Sequence, residues 1–303
     1  MKRDIHPKSH VFRRLKQNYM FYICILPFFT IFILFSAFPI VASFFLGFTR
    51  WKGYGMPEFV GLRNYSRLFN DPAFIKSLTN TLYMWFFSTL ITLGLALILA
   101  FLVNHYIERG KSFFRIVFLF PLLVAPALTS IIISVLFSAN AGLVNAIISL
   151  FVEGNFTYNW LGSAFWTKPL IVLIIVWRWT GWHFIVMLAG LQTIPTDLYE
   201  AAKIDGANGS QIFRHITLPL MAPIVLVSAV IATVGGIQLF DEPYVLTQGT
   251  GGVLNSGLSM GMYLYKTAFE NFQFGLAAAQ SFILFVIILF VSLLNSWILR
   301  RRT

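Results

Sequence analysis

Six long apolar runs divide this chain, and a polypeptide that carries them has few ways to fold. They cover about 19–48, 77–103, 113–137, 170–191, 219–240 and 274–299 of the 303 residues. A helix needs roughly 20 mostly apolar residues to cross the hydrocarbon core of a bilayer, and each run supplies them. Only 11% of the residues are charged, against 58% hydrophobic, whereas a soluble domain carries about a quarter charged. There is too little polar surface to cover a globule, so part of the solvent is lipid. The expected fold is an all-α integral membrane protein with six transmembrane helices. The first run is longer than a straight span and contains Pro27 and Pro39, so a tilt or kink is expected there.

The formal net charge of +11 would suggest nucleic acid in a soluble protein. Here the basic residues sit at the ends of the apolar runs, with no basic stripe of interleaved stacking aromatics, so the charge reports topology and no nucleic-acid partner is expected. Alternating the runs across a membrane puts Lys and Arg of 2–16, Arg109, Lys111, Arg115, Lys203, Arg214 and residues 300–302 on one face. The opposite face holds Arg50, Lys52, Arg63, Arg67, Lys76, Lys168 and Lys266. That is fourteen against seven, and the positive-inside rule then puts both termini in the cytoplasm. Residues 1–18 read as a cytoplasmic N-terminal segment and 19–303 as one transmembrane domain. The first run is too long for a signal-peptide core and has no small-residue cleavage site, so it reads as an uncleaved span. The single cysteine, Cys24, excludes an intrachain disulfide, and no Cys/His metal spacing exists. Turn chemistry fills 50–76 and 139–168, where short helices at most are expected; Trp160 and Trp166 suit the headgroup level.

Between the fourth and fifth runs lies a polar interruption, 195–219. Asp197 is placed to cap a short helix, with Glu200 three residues on as its capping-box partner. Ala201, Ala202 and Lys203 favour helix, and Gly206 suits a left-handed residue after its end. A turn and a second short helix then run into the fifth span at Pro219. Glu200 and Asp205 offer carboxylates to cations on a partner; the bland alternative is an amphipathic loop whose acids are merely solvated, with Glu200 chiefly a cap.

The spacing Glu200-Ala201-Ala202, then Gly206, then Ile216-x-Leu218-Pro219 resembles the E-A-A-x3-G-x9-I-x-L-P motif of permeases in binding-protein-dependent ATP-binding cassette importers. Gly61-Leu62-x-Asn64-Tyr65, Asn80-Thr81, Phe240-Asp241-x-x-Tyr244-Val245-Leu246-Thr247 and Phe274-Gly275-x-Ala277 resemble the carbohydrate branch of that family. One departure is that Thr247 is followed by Gln248-Gly249-Thr250-Gly251-Gly252, where the branch often has T-x-G-G-P. The resemblance implies a type I importer permease fold and a loop (Glu200, Ala201, Ala202, Asp205, Gly206, Ile216, Leu218, Pro219) that docks on an ATPase. It also implies a second homologous permease, an ATPase dimer that binds ATP and Mg²⁺, an extracytoplasmic sugar-binding protein, and surrounding lipid. No cofactor is expected in this chain. It has no Walker A motif, no HExxH and no intramembrane nucleophile–base set, so it is not expected to be an enzyme. A secondary transporter or channel would leave the loop without a purpose.

For the substrate path, the resemblance points to the middle helices, around Trp177, Thr180 and Gly181 and around Gly235, Gly236 and Gln238; Gly235-Gly236 has close helix packing as its alternative. Arg178 lies inside a span, where a charge is costly and marks function by default. Two readings stand: it contacts sugar hydroxyls beside the neighbouring tryptophans, or it pairs with Asp241 or Glu242 at the outer end of the next span. His183 reads as a satisfied hydrogen-bonder rather than a ligand, and His215 as a loop residue facing lipid or the ATPase.

Overall fold

The computed structural model describes residues 19–107, 109–152 and 154–300, with side chains as far as Trp297. The expected N-terminal segment 1–18 and the terminal Arg301 and Arg302 lie outside the described residues. Among the described residues, five helices are long and apolar enough to cross a membrane. They are α1 (Tyr19–Leu46), α3 (Pro72–Tyr106), α7 (Thr167–Leu191), α9 (Gly209–Ile237) and α12 (Phe274–Arg300). The sixth expected crossing, 113–137, is not a straight helix. It is a pair, α4 (Lys111–Leu123) and α5 (Pro126–Leu136), bent by 90°.

The break has a local cause. Val124 and Ala125 are extended, at ψ 129° and 140°; the ring of a proline disfavours the helical region for the residue before it, here Ala125. Pro126 then starts the next helix, where its missing N–H is harmless. Thirteen helical residues span about 20 Å, and neither half alone crosses the ~30 Å core.

Proline is handled differently in α1 and α9. Each widens into a π turn, Ile33–Ala37 and Phe213–Thr217, two residues before Pro39 and Pro219. The wider turn relieves the clash of the proline ring with the carbonyl four residues earlier. Both helices therefore continue past their prolines.

At 35 residues, α3 is about 52 Å long, well beyond the apolar layer. Asp71 accepts from the Ala73 N–H at 2.8 Å and Pro72 fills the first helical position, a good N-terminus. Its small residues Ala96 and Ala100 pack into a core with Phe184, Met187, Leu188 and Leu191 of α7 and Met221 of α9. The most enclosed span is α7, with 61% of its apolar window buried; the corresponding figure for α1 is 0%. Only the C-terminal part of α1 meets the rest, through Phe44 against Phe282 and Gly47 against the Ala279 backbone. The bundle is therefore organised around α7, with α1 at its periphery.

Short elements cover the other end. A two-residue hairpin pairs β1 (Thr49–Arg50) with β2 (Glu58–Phe59), and α2 (Arg63–Phe69) leads into α3. Asn64 donates to the Gly47 and Thr49 carbonyls at 2.9 and 2.8 Å. The linker after α5 carries α6 (Leu143–Ser149). Trp160 donates to Asn145 Oδ1 at 2.7 Å and meets Trp166 edge-on at 5.0 Å, so these rings fasten the linker to the start of α7. After α9 come α10 (Asp241–Leu246) and α11 (Met260–Tyr265). Asn80 donates to the Asn255 and Leu258 carbonyls, and Thr81 accepts from the Met260 N–H. Gly275 lies where a Cβ would overlap the Thr49 carbonyl.

If the bent pair makes one crossing, its ends face opposite sides. In a Cys24→Ser background, Ser112→Cys and Asn140→Cys should react with an impermeant maleimide from opposite faces of the membrane. Labelling of both from one face would make the pair a re-entrant hairpin and leave five spans.

Candidate functional site

Two places concentrate polar chemistry, one on the loop between α7 and α9 and one in a cavity beside α7. The loop helix, α8 (Thr196–Ile204), follows Pro195. Its N-terminus has no side-chain cap, so the expected Asp197–Glu200 capping box does not form. Asp197 lies one position inside the helix, where its charge still suits the dipole. The box is further along: Asn208 Oδ1 accepts from the Gln211 N–H at 3.0 Å, and Gln211 Oε1 accepts from the Asn208 N–H at 2.8 Å. The N-x-x-Q spacing was visible in the chain.

The C-terminus of α8 closes as expected. Gly206 has φ +78°, the Ala207 N–H reaches the Ala202 carbonyl at 2.9 Å, and the Gly206 N–H reaches that of Lys203 at 3.1 Å. Those two bonds define a Schellman motif. A Cβ on Gly206 would touch nothing within 4 Å, so its requirement is conformational and not one of space.

The loop has two faces. Tyr199, Ala202 and Ala207 pack on the core beneath, and Tyr199 Oη lies 3.3 Å from Thr217 Oγ1. Glu200, Ala201, Asp205 and Gly206 are exposed, as is Ile204 at 86%. Ile216 lines a cleft of about 350 Å³ with Ala202, Asp205, Gly206 and His215, and the His215 ring sits 3.0 Å from the Gln211 carbonyl. Leu218 and Pro219 are exposed on the flank of α9. Tyr199 and Ile204 escaped the sequence reading, since neither belongs to the spaced motif.

The cavity, of about 340 Å³, lies between α3, α7, α9 and α10. It brings together Arg178, Gly235, Gln238 and Asp241 of the expected path residues, and adds Ser88, Thr89, Thr92, Trp179, His183 and Glu242. Gly236 lines it too, but a Cβ there would come within 2.9 Å of Trp85. Gly236 is thus the packing glycine, whereas Gly235 faces open space. Three expected residues are elsewhere on α7. Trp177 is 45% exposed on another face, Thr180 donates to the Val176 carbonyl at 2.6 Å, and Gly181 admits the Phe118 carbonyl of α4. Residues 175, 178–179 and 183 share one helix face, and 177, 180 and 181 lie off it. Sequence spacing alone gave no indication which face would be lined. The α3 hydroxyls were missed because a threonine in an apolar run carries no signal of its own.

Arg178 pairs with Glu242, not Asp241. Its Nη1 donates to Glu242 Oε1 at 2.6 Å, with the side chains 7% and 6% exposed. Burial pushes the Glu242 carboxyl above its ordinary range, and Arg178 opposes that shift.

Residues 108–303 match the family described as binding-protein-dependent transport system inner membrane component. The chain belongs to that family. As a permease it is a multi-pass component of the inner membrane. It is 35% identical over 269 residues to the lactose transport system permease protein LacF of Rhizobium radiobacter, covering 88% of this chain and 90% of that one. It is also 35% identical over 275 residues to the arabinooligosaccharides transport system permease protein AraP of Bacillus subtilis (strain 168), covering 90% and 86%. Its fold is similar to a chain in the crystal structure of a bacterial ABC transporter involved in the import of the acidic polysaccharide alginate. There the TM-score is 0.84 at 23% identity, over 96% of this chain and 99% of that chain.

The ion pair generates a stability prediction. Arg178→Ala leaves a buried carboxylate without its cation and should destabilise the permease by about 3–5 kcal/mol, read as a lower thermal midpoint of the purified complex. Arg178→Ala combined with Glu242→Ala should recover most of that loss. A single variant as stable as the wild type would mean that the pair holds nothing together.

Proposed function

We propose that this permease is one of two related transmembrane subunits of an ATP-driven importer of di- or oligosaccharides, and that it draws its energy from a separate ATPase dimer. The loop 195–219 is the docking element. The observation that carries this reading is its shape: a short helix closed by Gly206, one face seated on the core, the other presenting Glu200, Ile204 and Asp205 outward. Carboxylates around an apolar side chain suit a cleft that is apolar inside and edged by cations. The chain has no Walker A sequence, so hydrolysis belongs to the partner. The permeases named for lactose and for arabinooligosaccharides, and the diacetylchitobiose, trehalose/maltose and multiple sugar-binding permeases among the relatives, support sugar as the cargo. A soluble sugar-binding protein would deliver it at the face opposite the loop, and the cavity beside α7 is the path.

The Lys and Arg bias puts both termini and the loop in the cytoplasm. Cysteines replacing Lys203 and Lys111 should therefore label from inside, and those replacing Lys52 and Lys266 from outside. Lys203 reached from outside would refute the docking assignment.

Coupling is tested in reconstituted complex by ATP hydrolysis with and without loaded binding protein. Glu200→Ala removes one charge-assisted contact, worth about 1.5–3 kcal/mol, and should depress the stimulated rate while the complex still assembles. Gly206→Val forces a β-branched residue to positive φ and should abolish transport more completely. Gly206→Asn, which tolerates that conformation, should lie between. Wild-type stimulation in all three would mean that this loop does not transmit the power stroke.

A further inference from the structure

The cavity beside α7 holds polar capacity that its own contacts do not use. Thr92 Oγ1, His183 Nδ1 and Arg178 Nε are shielded from solvent without a hydrogen-bond partner, in residues only 2%, 2% and 6% exposed. Such atoms are rare in folded proteins and mark a place that water or a ligand fills. Three of them line one cavity, beside the aromatic rings of Trp179 and Phe240.

Its charge is arranged to a different end. Arg178 is the one Lys or Arg lining the cavity among the described residues, and its Nη1 is engaged on Glu242 at 2.6 Å. Asp241 adds a second acid. The guanidinium that would receive a carboxylate is thus already neutralised by Glu242, and Asp241 leaves the lining with one net negative charge. Like charges in a weakly polar enclosure repel strongly.

We propose that this lining selects uncharged sugar units, and that Glu242 is the residue that turns acidic ones away; the inference rests on the cavity being the substrate path. A neutral sugar finds what it needs: Arg178 Nε–H donates to a hydroxyl oxygen, Thr92 Oγ1 donates or accepts, and the imidazole of His183 takes a third hydroxyl. The C–H faces of the ring lie against Trp179 and Phe240. A uronate brings the same hydroxyls and a carboxylate with no free cation to meet it. The backbone does not make this choice, because a chain of similar fold belongs to a transporter involved in the import of an acidic polysaccharide. The choice lies in the side chains that balance Arg178.

The test is equilibrium binding of labelled lactose, maltose, arabinobiose and digalacturonate to the complete complex in nanodiscs. The wild type should bind at least one neutral sugar and discriminate against digalacturonate. In Glu242→Gln the ratio of neutral to uronate affinity should fall about tenfold or more, since the Arg178 charge is no longer cancelled. Asp241→Asn, at an exposed position, should lower the ratio by a smaller factor; it carries the test if Glu242→Gln does not assemble. A wild type that binds digalacturonate as tightly as a neutral sugar overturns the inference and leaves the path reading standing. So does a ratio unchanged in every variant that assembles. Failure to bind any of the four sugars overturns both.

Discussion

Inside a bilayer, a polar group has no water to turn to, so every one that the chain carries into the apolar layer must be satisfied by the protein itself. The main chain meets this demand through its helices. The side chains meet it one by one: Thr180 and Thr233 donate back to carbonyls one turn earlier, Trp85 Nε1 reaches Thr233 Oγ1 at 3.2 Å, and Gln280 donates to the Met260 carbonyl. Arg178 and Glu242 satisfy each other. Of the nine buried side-chain atoms among the described residues that lack a partner, three, Thr92 Oγ1, His183 Nδ1 and Arg178 Nε, belong to residues lining one cavity.

The loops obey the opposite logic, because their surroundings supply hydrogen bonds freely. Their shapes come from fixed backbone conformations: Gly206 at the end of α8, and Gly249, Gly251 and Gly252 after α10, all at positive φ. Asn80 and Thr81 then tie the segment after α10 to α3, and Asn64 holds the carbonyls of Gly47 and Thr49 after α1. These residues are the framework on which the family resemblance partly rests. Their role in this structure is to hold carbonyls and N–H groups that no helix pairs, which a hydrophobic substitute cannot do.

At its C-terminal end α3 meets the loop directly. Phe101 packs edge-on against Phe213 at 5.0 Å and stacks on His105, which lies 6.0 Å from the Tyr199 ring. At its other end Asn80 and Thr81 grip the segment before α11, and between them Ser88, Thr89 and Thr92 line the cavity. One stiff helix thus touches the loop, the cavity and the opposite surface. A displacement of the loop has a direct mechanical route to both.

Much of this was legible in the chain because it depends on local, periodic chemistry. Apolar run length sets the spans, and the E-A-A spacing sets a helix and a left-handed glycine turn at Gly206. A charge inside a span demands a partner nearby. Three things required the tertiary structure. Pro126 broke the third run by disfavouring helical backbone at Ala125, yet Phe38 and Leu218 stay helical before Pro39 and Pro219, which π turns absorb, a difference that run length does not encode. The capping box moved from Asp197 to Asn208 because the N-cap of α8 is Pro195, two residues earlier than the motif suggests. Which face of α7 lines the cavity, and that Glu242 rather than Asp241 meets Arg178, follow from helix rotation and from the turn into α10. Those are set by packing between segments some sixty residues apart in sequence, and no local pattern records them.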